Sequence, residues 1–311
     1  MFSVIIPTLN EENYLPHILE DLKNQEKQNF EVIIVDGKSD DKTKEVALQF
    51  AKKIPLQFIT VEKRNVSFQR NTGAQKANGK YLIFIDADTR IPKDFTKNLE
   101  TSFEKRGYKL VLPTISWDDK SRKAKILHSV VTSVIRASQV YGRPLSTGGN
   151  FAIEKELFNS IGGFNEDVFI SEDHDLVRKA YDFGVKAKIV KNVRATISMR
   201  RGALEGDATF IYKNILGFLT YTMSPNEKAL KRKLFKYEMG GHMYEDKSKG
   251  KNQNSKLSDD VDKNENLKIK AKGLKLNGET IKNLRKKLDM ARLKELLQLG
   301  VIVTLLKNIK F

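Results

Sequence analysis

Short apolar runs alternate with amphipathic stretches along the first 190 residues. Phe2–Ile6, EVIIVDG at 31–37, Leu56–Val61 and Tyr81–Ile85 are rich in β-branched and aromatic residues, and each is short enough to be a buried strand. Between them, Asn10–Asn24 repeats Leu15, Ile18, Leu19 and Leu22 at helical spacing, with Asn10 as the expected cap and Glu11 and Glu12 in the first turn. Lys42–Lys53 and Ser67–Asn78 fit two more helices. A β-α-β-α-β-α-β rhythm of this kind predicts an α/β fold, a mostly parallel sheet with helices on both faces. Such sheets bind ligands beyond the carboxyl ends of their strands. Pro7–Glu12, Asp36–Asp41 and Asp86–Asp88 all fall on that edge.

The pattern continues with a helix over Pro92–Lys105, a strand over Lys109–Pro113 and a helix over Lys123–Tyr141. STGGNFAI at 146–153 reads as a glycine turn entering a strand. A helix follows at Ser171–Phe183, with Ser171 as N-cap and Gly184 as the stop. Lys186–Val190 reads as a strand and Thr209–Tyr221 as an apolar, aromatic-rich helix.

Near Tyr244 the texture changes. Residues 244–278 hold few large apolar side chains and read as a polar, flexible linker between a domain at 1–243 and a basic amphipathic helix at 279–311. Charge sharpens this division. The chain carries 56 Lys and Arg against 39 Asp and Glu, a net +17, and the segment from Lys231 onward holds 21 and 10 of them, or +11. A basic appendage suits nucleic acid or an anionic membrane surface. Its apolar stretch at 296–306 has 11 residues, and a bilayer-spanning helix needs about 20. It therefore fits an interfacial anchor, a helix docked on the main domain, or a subunit contact. The chain has no cysteine, which excludes disulfides and thiolate metal sites. MFSVIIPTLN has no basic leader and breaks at Pro7, so no signal peptide is expected and the location read is cytoplasmic.

PTLNEE replaces a GxGxxG turn after the first strand, and no GxxxxGK[ST] occurs, which removes the two common phosphate cradles. The best chemical lead is DAD, Asp86 and Asp88 at the end of a buried strand. Carboxylate oxygens suit Mg²⁺ or Mn²⁺, which often share them with substrate phosphates; a plain turn cap is the other use of Asp88. Asp36, with Ser39, Asp41 and Thr43 in the turn after it, shares the edge, although these are also ordinary turn residues. Arg70 and Asn71 lie on the helix before the DAD strand, where an arginine also suits a solvated face.

PTLNEE, VDGKSDDKT, RNTGAQKANGKYLIFIDAD, TGGNFAI, GGFNED and SEDHDL occur in that order. Together they resemble a family 2 glycosyltransferase of the GT-A fold over about residues 1–205. The resemblance implies a nucleotide-diphosphate sugar donor, a divalent cation (Mg²⁺ or Mn²⁺) and inversion at the anomeric carbon. Pro7, Thr8, Asn10 and Glu12 would then line the nucleoside pocket, and Asp36 would contact base or ribose. Relatives often have two adjacent acids here, whereas this chain has Asp36 followed by Gly37. Asp86 would face ribose or metal and Asp88 would be the direct ligand, with Arg70 and Gly149 on the donor side. Asp173 of SEDHDL would be the general base. Its place in a first helical turn favours the ionised form; a plain charge complement to the helix end is the alternative.

Arg200 and Arg201 suit diphosphate oxygens or a plain basic surface. His174 and His242 are candidates for a third metal ligand, and Trp117 for stacking on a sugar or for packing. The acceptor implied is lipid-linked or a glycan, reached at the inner face of the cell membrane. Two rivals stand beside this reading: a basic nucleic-acid-binding protein, for which no recognised motif is present, and a nucleotidyltransferase, which would need a glycine-rich basic loop where PTLNEE stands.

Overall fold

The computed structural model describes residues 1–118, 144–168 and 171–198, with residues 132, 133, 135, 138 and 139. Most of the helix expected at 123–141, the helix at 209–221, the linker and the C-terminal helix lie outside these residues.

Eight strands form one sheet in the order β3-β2-β1-β4-β7-β6-β8-β5. Strands β1 (Phe2–Thr8), β2 (Phe30–Asp36), β3 (Leu56–Thr60) and β4 (Tyr81–Phe84) are parallel neighbours. They are linked through α1 (Leu15–Lys23), α2 (Thr43–Phe50) and α3 (Val66–Lys76). β7 (Phe151–Glu154) runs antiparallel between β4 and β6 (Leu110–Trp117), and β8 (Lys188–Ile197) is parallel to β6. β5 (Thr89–Arg90) closes the edge. Three further helices are α4 (Phe95–Glu100), α5 (Lys155–Ser160) and α6 (Glu172–Asp182). The expected α/β sheet, mostly parallel and covered on both faces, is the one observed.

Alternation along the strands divides the core in two. Val4, Ile6, Val32 and Ile34 point to the face covered by Leu15, Ile18, Leu19 and Leu22 of α1. Ile5, Ile33, Val35, Leu82 and Phe84 point to the other, against Ala74, Leu157, Phe158, Leu176 and Val177. This is the period-two consequence of strand geometry. α3 approaches β1 so closely that a Cβ on Gly73 would lie 2.5 Å from Ile5 Cγ2.

Several expected boundaries shift. α1 begins at Leu15, not Asn10: Asn10 has φ 54° and its backbone N–H donates to Ser39 Oγ at 2.8 Å, so the segment before α1 is a loop tied to the next crossover. Glu11 and Glu12 accordingly sit outside the helix. Ser171 is not a side-chain cap; it takes φ 69°, and its carbonyl accepts the Asp175 N–H. The helix read at Pro92–Lys105 is α4 followed by a π-helical turn at Thr101–Lys105. β6 runs past Pro113, and the register slips there, from Pro113 opposite Val190 to Thr114 opposite Arg194. A proline cannot donate to a ladder and is tolerated at such an irregularity. β8 is correspondingly longer than the strand read at Lys186–Val190, because buried Val193 and Ala195 resume alternation after it.

Candidate active site

The carboxyl ends of β1 and β2 carry the first group of residues. Pro7 and Thr8 close β1 beside Val35 and Asp36 of β2. Asp36 is buried, and its Oδ1 accepts the Thr8 hydroxyl at 2.8 Å and the Ser39 hydroxyl at 2.5 Å, while Oδ2 accepts the Ser39 N–H at 2.8 Å. The two loops above are cross-tied. Asp40 N–H donates to Asn10 Oδ1 at 2.9 Å, Glu12 N–H to Asp41 Oδ2 at 3.0 Å, and Lys42 N–H to Glu12 Oε2 at 3.0 Å. Pro7, Thr8, Asn10, Glu12 and Asp36 are thus brought together, and much of their polarity shapes the rim itself. Gln69 of α3 adds a pin that the sequence reading missed: its Nε2 donates to the carbonyls of Thr8 and Val35, each at 2.8 Å.

The second group surrounds Arg70. This guanidinium is 2% exposed, and donates from Nη2 to Asp86 Oδ1 and from Nη1 to Glu172 Oε1, both at 2.7 Å. It lies 5.3 Å over the Phe164 ring. Burial works against its charge, but the two carboxylates raise its pKa further and keep it protonated. Arg70 therefore spends its terminal nitrogens inside the protein, as a hub between the DAD turn and α6, instead of projecting outward as a solvated helix residue. Its orientation has local causes. Asn65 caps α3 by accepting the Phe68 N–H at 2.8 Å. Asn71 exchanges two hydrogen bonds with the backbone of Phe164, each at 3.0 Å, so GGFNED is docked on α3 and holds Phe164 against Arg70.

The DAD turn is held from the other side by buried Asn150. Its Oδ1 accepts the Asp86 N–H and the Thr89 hydroxyl, each at 3.0 Å. Gly149, just before it, lies against the hub: a Cβ there would be 2.1 Å from Arg70 Nη2 and 2.9 Å from both Asp86 oxygens. Asp86 and Asp88 remain partly exposed on the turn. No group of three or more acidic or histidine side chains is arranged to hold a metal ion among the described residues. Two accessible hard-oxygen donors beside a glycine cradle fit a divalent cation that takes its remaining ligands from water or a diphosphate.

Asp173, in the first turn of α6, is buried, and its Oδ2 lies 3.4 Å from His174 Nδ1. Burial pushes its carboxyl up, but the charge and hydrogen bond of His174, with Arg70 behind, pull it down to about 2. Burial drives Glu172 up; Arg70 opposes this, and the Asp173 charge adds to it. His174 Nδ1 also receives the Ser146 N–H at 3.1 Å. Arg70 joins Asp86 and Gly149 to Glu172, and so to Asp173. Trp117 is half-buried at the end of β6, and Arg200, Arg201 and His242 lie outside the described residues. Asn150 had no role in the sequence reading and Glu172 only that of a charge complement to the helix end, although each stands next to a residue assigned to the site. A signal for Gln69 and Arg70 was present: helical spacing sets both, with Gly73, on the sheet side of a helix with few apolar residues.

The profile of glycosyl transferase family 2 matches residues 3–164, more than half of the chain. The chain belongs to glycosyl transferase family 2. Among family relatives, it is 36% identical over 171 residues to the dolichyl N-acetyl-α-D-glucosaminyl phosphate 3-β-D-2,3-diacetamido-2,3-dideoxy-β-D-glucuronosyltransferase of Methanococcus voltae, covering 51% of this chain and 49% of that protein. It is 33% identical over 201 residues to the minor teichoic acid biosynthesis protein GgaB of Bacillus subtilis, covering 62% of this chain and 22% of that one. It therefore spans about half or less of these relatives. Among solved structures, residues 1–349 of Staphylococcus aureus TarS in complex with UDP-GlcNAc superpose with a TM-score of 0.52 at 21% identity, over 63% of this chain and 58% of that one. The mannosyltransferase PcManGT of Pyrobaculum calidifontis, in complex with GDP-Man and Mn²⁺, gives 0.53 at 24%, over 63% and 56%. These likenesses establish the GT-A architecture.

Proposed function

We propose that the chain is an inverting glycosyltransferase that moves a sugar from a nucleotide diphosphate to an acceptor hydroxyl. One observation carries the reading: Arg70 joins the DAD turn to the α6 turn that holds Asp173, so the groups suited to diphosphate and to a hydroxyl proton share one strand-end rim. The nucleoside lies over Pro7, Thr8, Asn10, Glu12 and Asp36. Asp86 and Asp88 hold a divalent cation, which when bound acts as a Lewis acid on the leaving diphosphate.

The reaction then follows from the chain's own groups. Asp173 accepts the proton of the acceptor hydroxyl while that oxygen bonds to the anomeric carbon from the face opposite the leaving group. The bond from that carbon to the diphosphate oxygen breaks, and the nucleotide diphosphate leaves with the electron pair. Glu172 is held in place by Arg70 through Oε1, and its raised pKa makes it a structural carboxyl beside the base. Gly149 leaves room for the donor beside Asp86. Arg200 and Arg201 are assigned to the departing diphosphate.

The names of the relatives support a lipid-linked or glycan acceptor, and TarS in complex with UDP-GlcNAc supports a uridine donor as the first to try. Residues 1–243 form the transferase, 244–278 the linker and 279–311 a basic helix lying on anionic lipid at the inner membrane face. No helix among the described residues is long and apolar enough to cross a membrane.

Thermal shift against UDP- and GDP-sugars, with and without Mn²⁺ or Mg²⁺, tests the donor half. A donor should stabilise the wild type only with metal present, and Asp88→Ala should abolish that shift. Equal stabilisation of wild type and Asp88→Ala would remove the metal role from the DAD turn.

A further inference from the structure

His174 presents one nitrogen to two partners. Its Nδ1 receives the Ser146 N–H at 3.1 Å and lies 3.4 Å from Asp173 Oδ2. The two contacts require opposite states of that atom. A lone pair must face Ser146, which makes the imidazole neutral with its proton on Nε2. A proton must face Asp173, which makes it an imidazolium and leaves the Ser146 N–H without this acceptor.

Each partner leads to a different part of the site. Ser146 opens the turn whose hydroxyl bonds the Gly148 carbonyl at 2.9 Å, and which continues into Gly149 and Asn150. Those two residues press on Asp86 and hold its backbone. Asp173 is the residue assigned as base. The imidazole is mostly enclosed, with 19% of its side chain exposed, so bulk water does not dominate the choice.

We propose that His174 is a positioning residue whose neutral imidazole fastens the Ser146–Asn150 turn to α6 and leaves Asp173 ready to accept a proton, whereas its protonated form turns that hydrogen bond onto Asp173. This rests on the assignment of Asp173 as base. The charged groups about the imidazole include Glu172 and Asp173 on its own helix and, across from α3, Arg70 paired with Glu172. The two carboxylates raise the histidine above its ordinary value against the opposing effect of burial. Protonation is therefore reached at a higher pH than for an ordinary histidine. The low carboxyl pKa of Asp173 belongs to the protonated pair, and release of the His174 proton restores the basicity of the site.

The experiment has two arms on the full chain. The first needs no substrate. Nitrogen-15 spectra of the imidazoles, with the His174 signal assigned by its loss in His174→Asn, report the tautomer directly among the four histidines. At pH 8.5 the proton should be on Nε2, with Nδ1 as acceptor. On acidification both nitrogens should protonate, and the Ser146 amide proton should shift upfield with the same midpoint. A proton on Nδ1 at pH 8.5, or a Ser146 amide that does not follow the midpoint, overturns the proposal whatever the protein transfers.

The second arm is the pH profile of kcat/KM. Asn places an oxygen where Nδ1 stood but cannot be protonated. Normalised to its own plateau, His174→Asn should lose the acid limb of the wild type over at least one pH unit. His174→Leu, without an acceptor, should lower the plateau about tenfold, and Asn should recover most of that loss. An acid limb unchanged in His174→Asn, in a protein whose spectra also lack the switch, refutes the role. If the spectra show the expected switch and the acid limb does not move, the assignment of Asp173 as base fails instead of the hydrogen-bond exchange.

Discussion

Gly149 is the tightest point of the rim. A methyl group there must displace the Arg70 guanidinium or the Asp86 carboxylate, and both are already fixed by bonds of 2.7 Å. Misplacing a reacting group by about 1 Å can cost on the order of 10²-fold in rate. Gly149→Ala should therefore lower kcat/KM roughly 10²-fold while circular dichroism stays native. Asp173 makes a separate prediction, in stability. Its folded pKa, at about 2, lies below the unfolded carboxyl value of about 3.9. Its ion pair with protonated His174 therefore contributes in full from about pH 4 up to the pH at which the imidazole loses its proton, and the contribution disappears as the pH falls towards 2. Between pH 4.5 and pH 2.5 the urea midpoint of the wild type should fall more steeply than that of Asp173→Asn; parallel curves would show that the carboxylate is not held down in the folded state.

At the scale of elements, α3 organises the site. Gln69 joins β1 to β2, Arg70 joins the DAD turn to α6, Asn71 docks the GGFNED loop, and Gly73 lets the helix come down on Ile5. Gly73→Val would force α3 outward. Overpacking of this kind costs about 1–3 kcal/mol, measurable in urea, and the same shift should reduce activity beyond the loss of stability. Arg70→Met leaves Asp86 and Glu172 without their common partner, and breaking a buried pair costs about 3–5 kcal/mol. A loss below about 1 kcal/mol, at the level of exposed pairs, would mean that the hub does not hold the site together. These roles explain what the sequence left unread. The strands were legible because apolar alternation is local, and DAD was legible because it ends a strand. The pairing of Arg70 with Glu172 spans 102 residues and leaves no periodic mark. Asn10 and Ser171 suit helix caps by residue type, yet both take left-handed backbone conformations set by tertiary contacts. The break at Pro113 hid the rest of β6 because the strand resumes only through an irregular register with β8.

At the scale of the whole molecule, the sequence divided a transferase domain from a basic appendage, and the two halves make independent predictions. Juxtamembrane basic residues contribute about 1 kcal/mol each at an anionic surface. Replacing Arg285, Lys286 and Lys287 by Gln should weaken cosedimentation with phosphatidylglycerol vesicles by roughly 100-fold, with little change on neutral vesicles. Equal binding to both lipids would place the helix elsewhere. For the transferase, the decisive comparison is single-turnover transfer from a bound donor by wild type and Asp173→Asn. The variant should bind the donor and metal that stabilise the wild type as the wild type does, yet transfer about 10²–10⁴-fold more slowly. Transfer at the wild-type rate would contradict the assignment of Asp173 and the chemistry built on it.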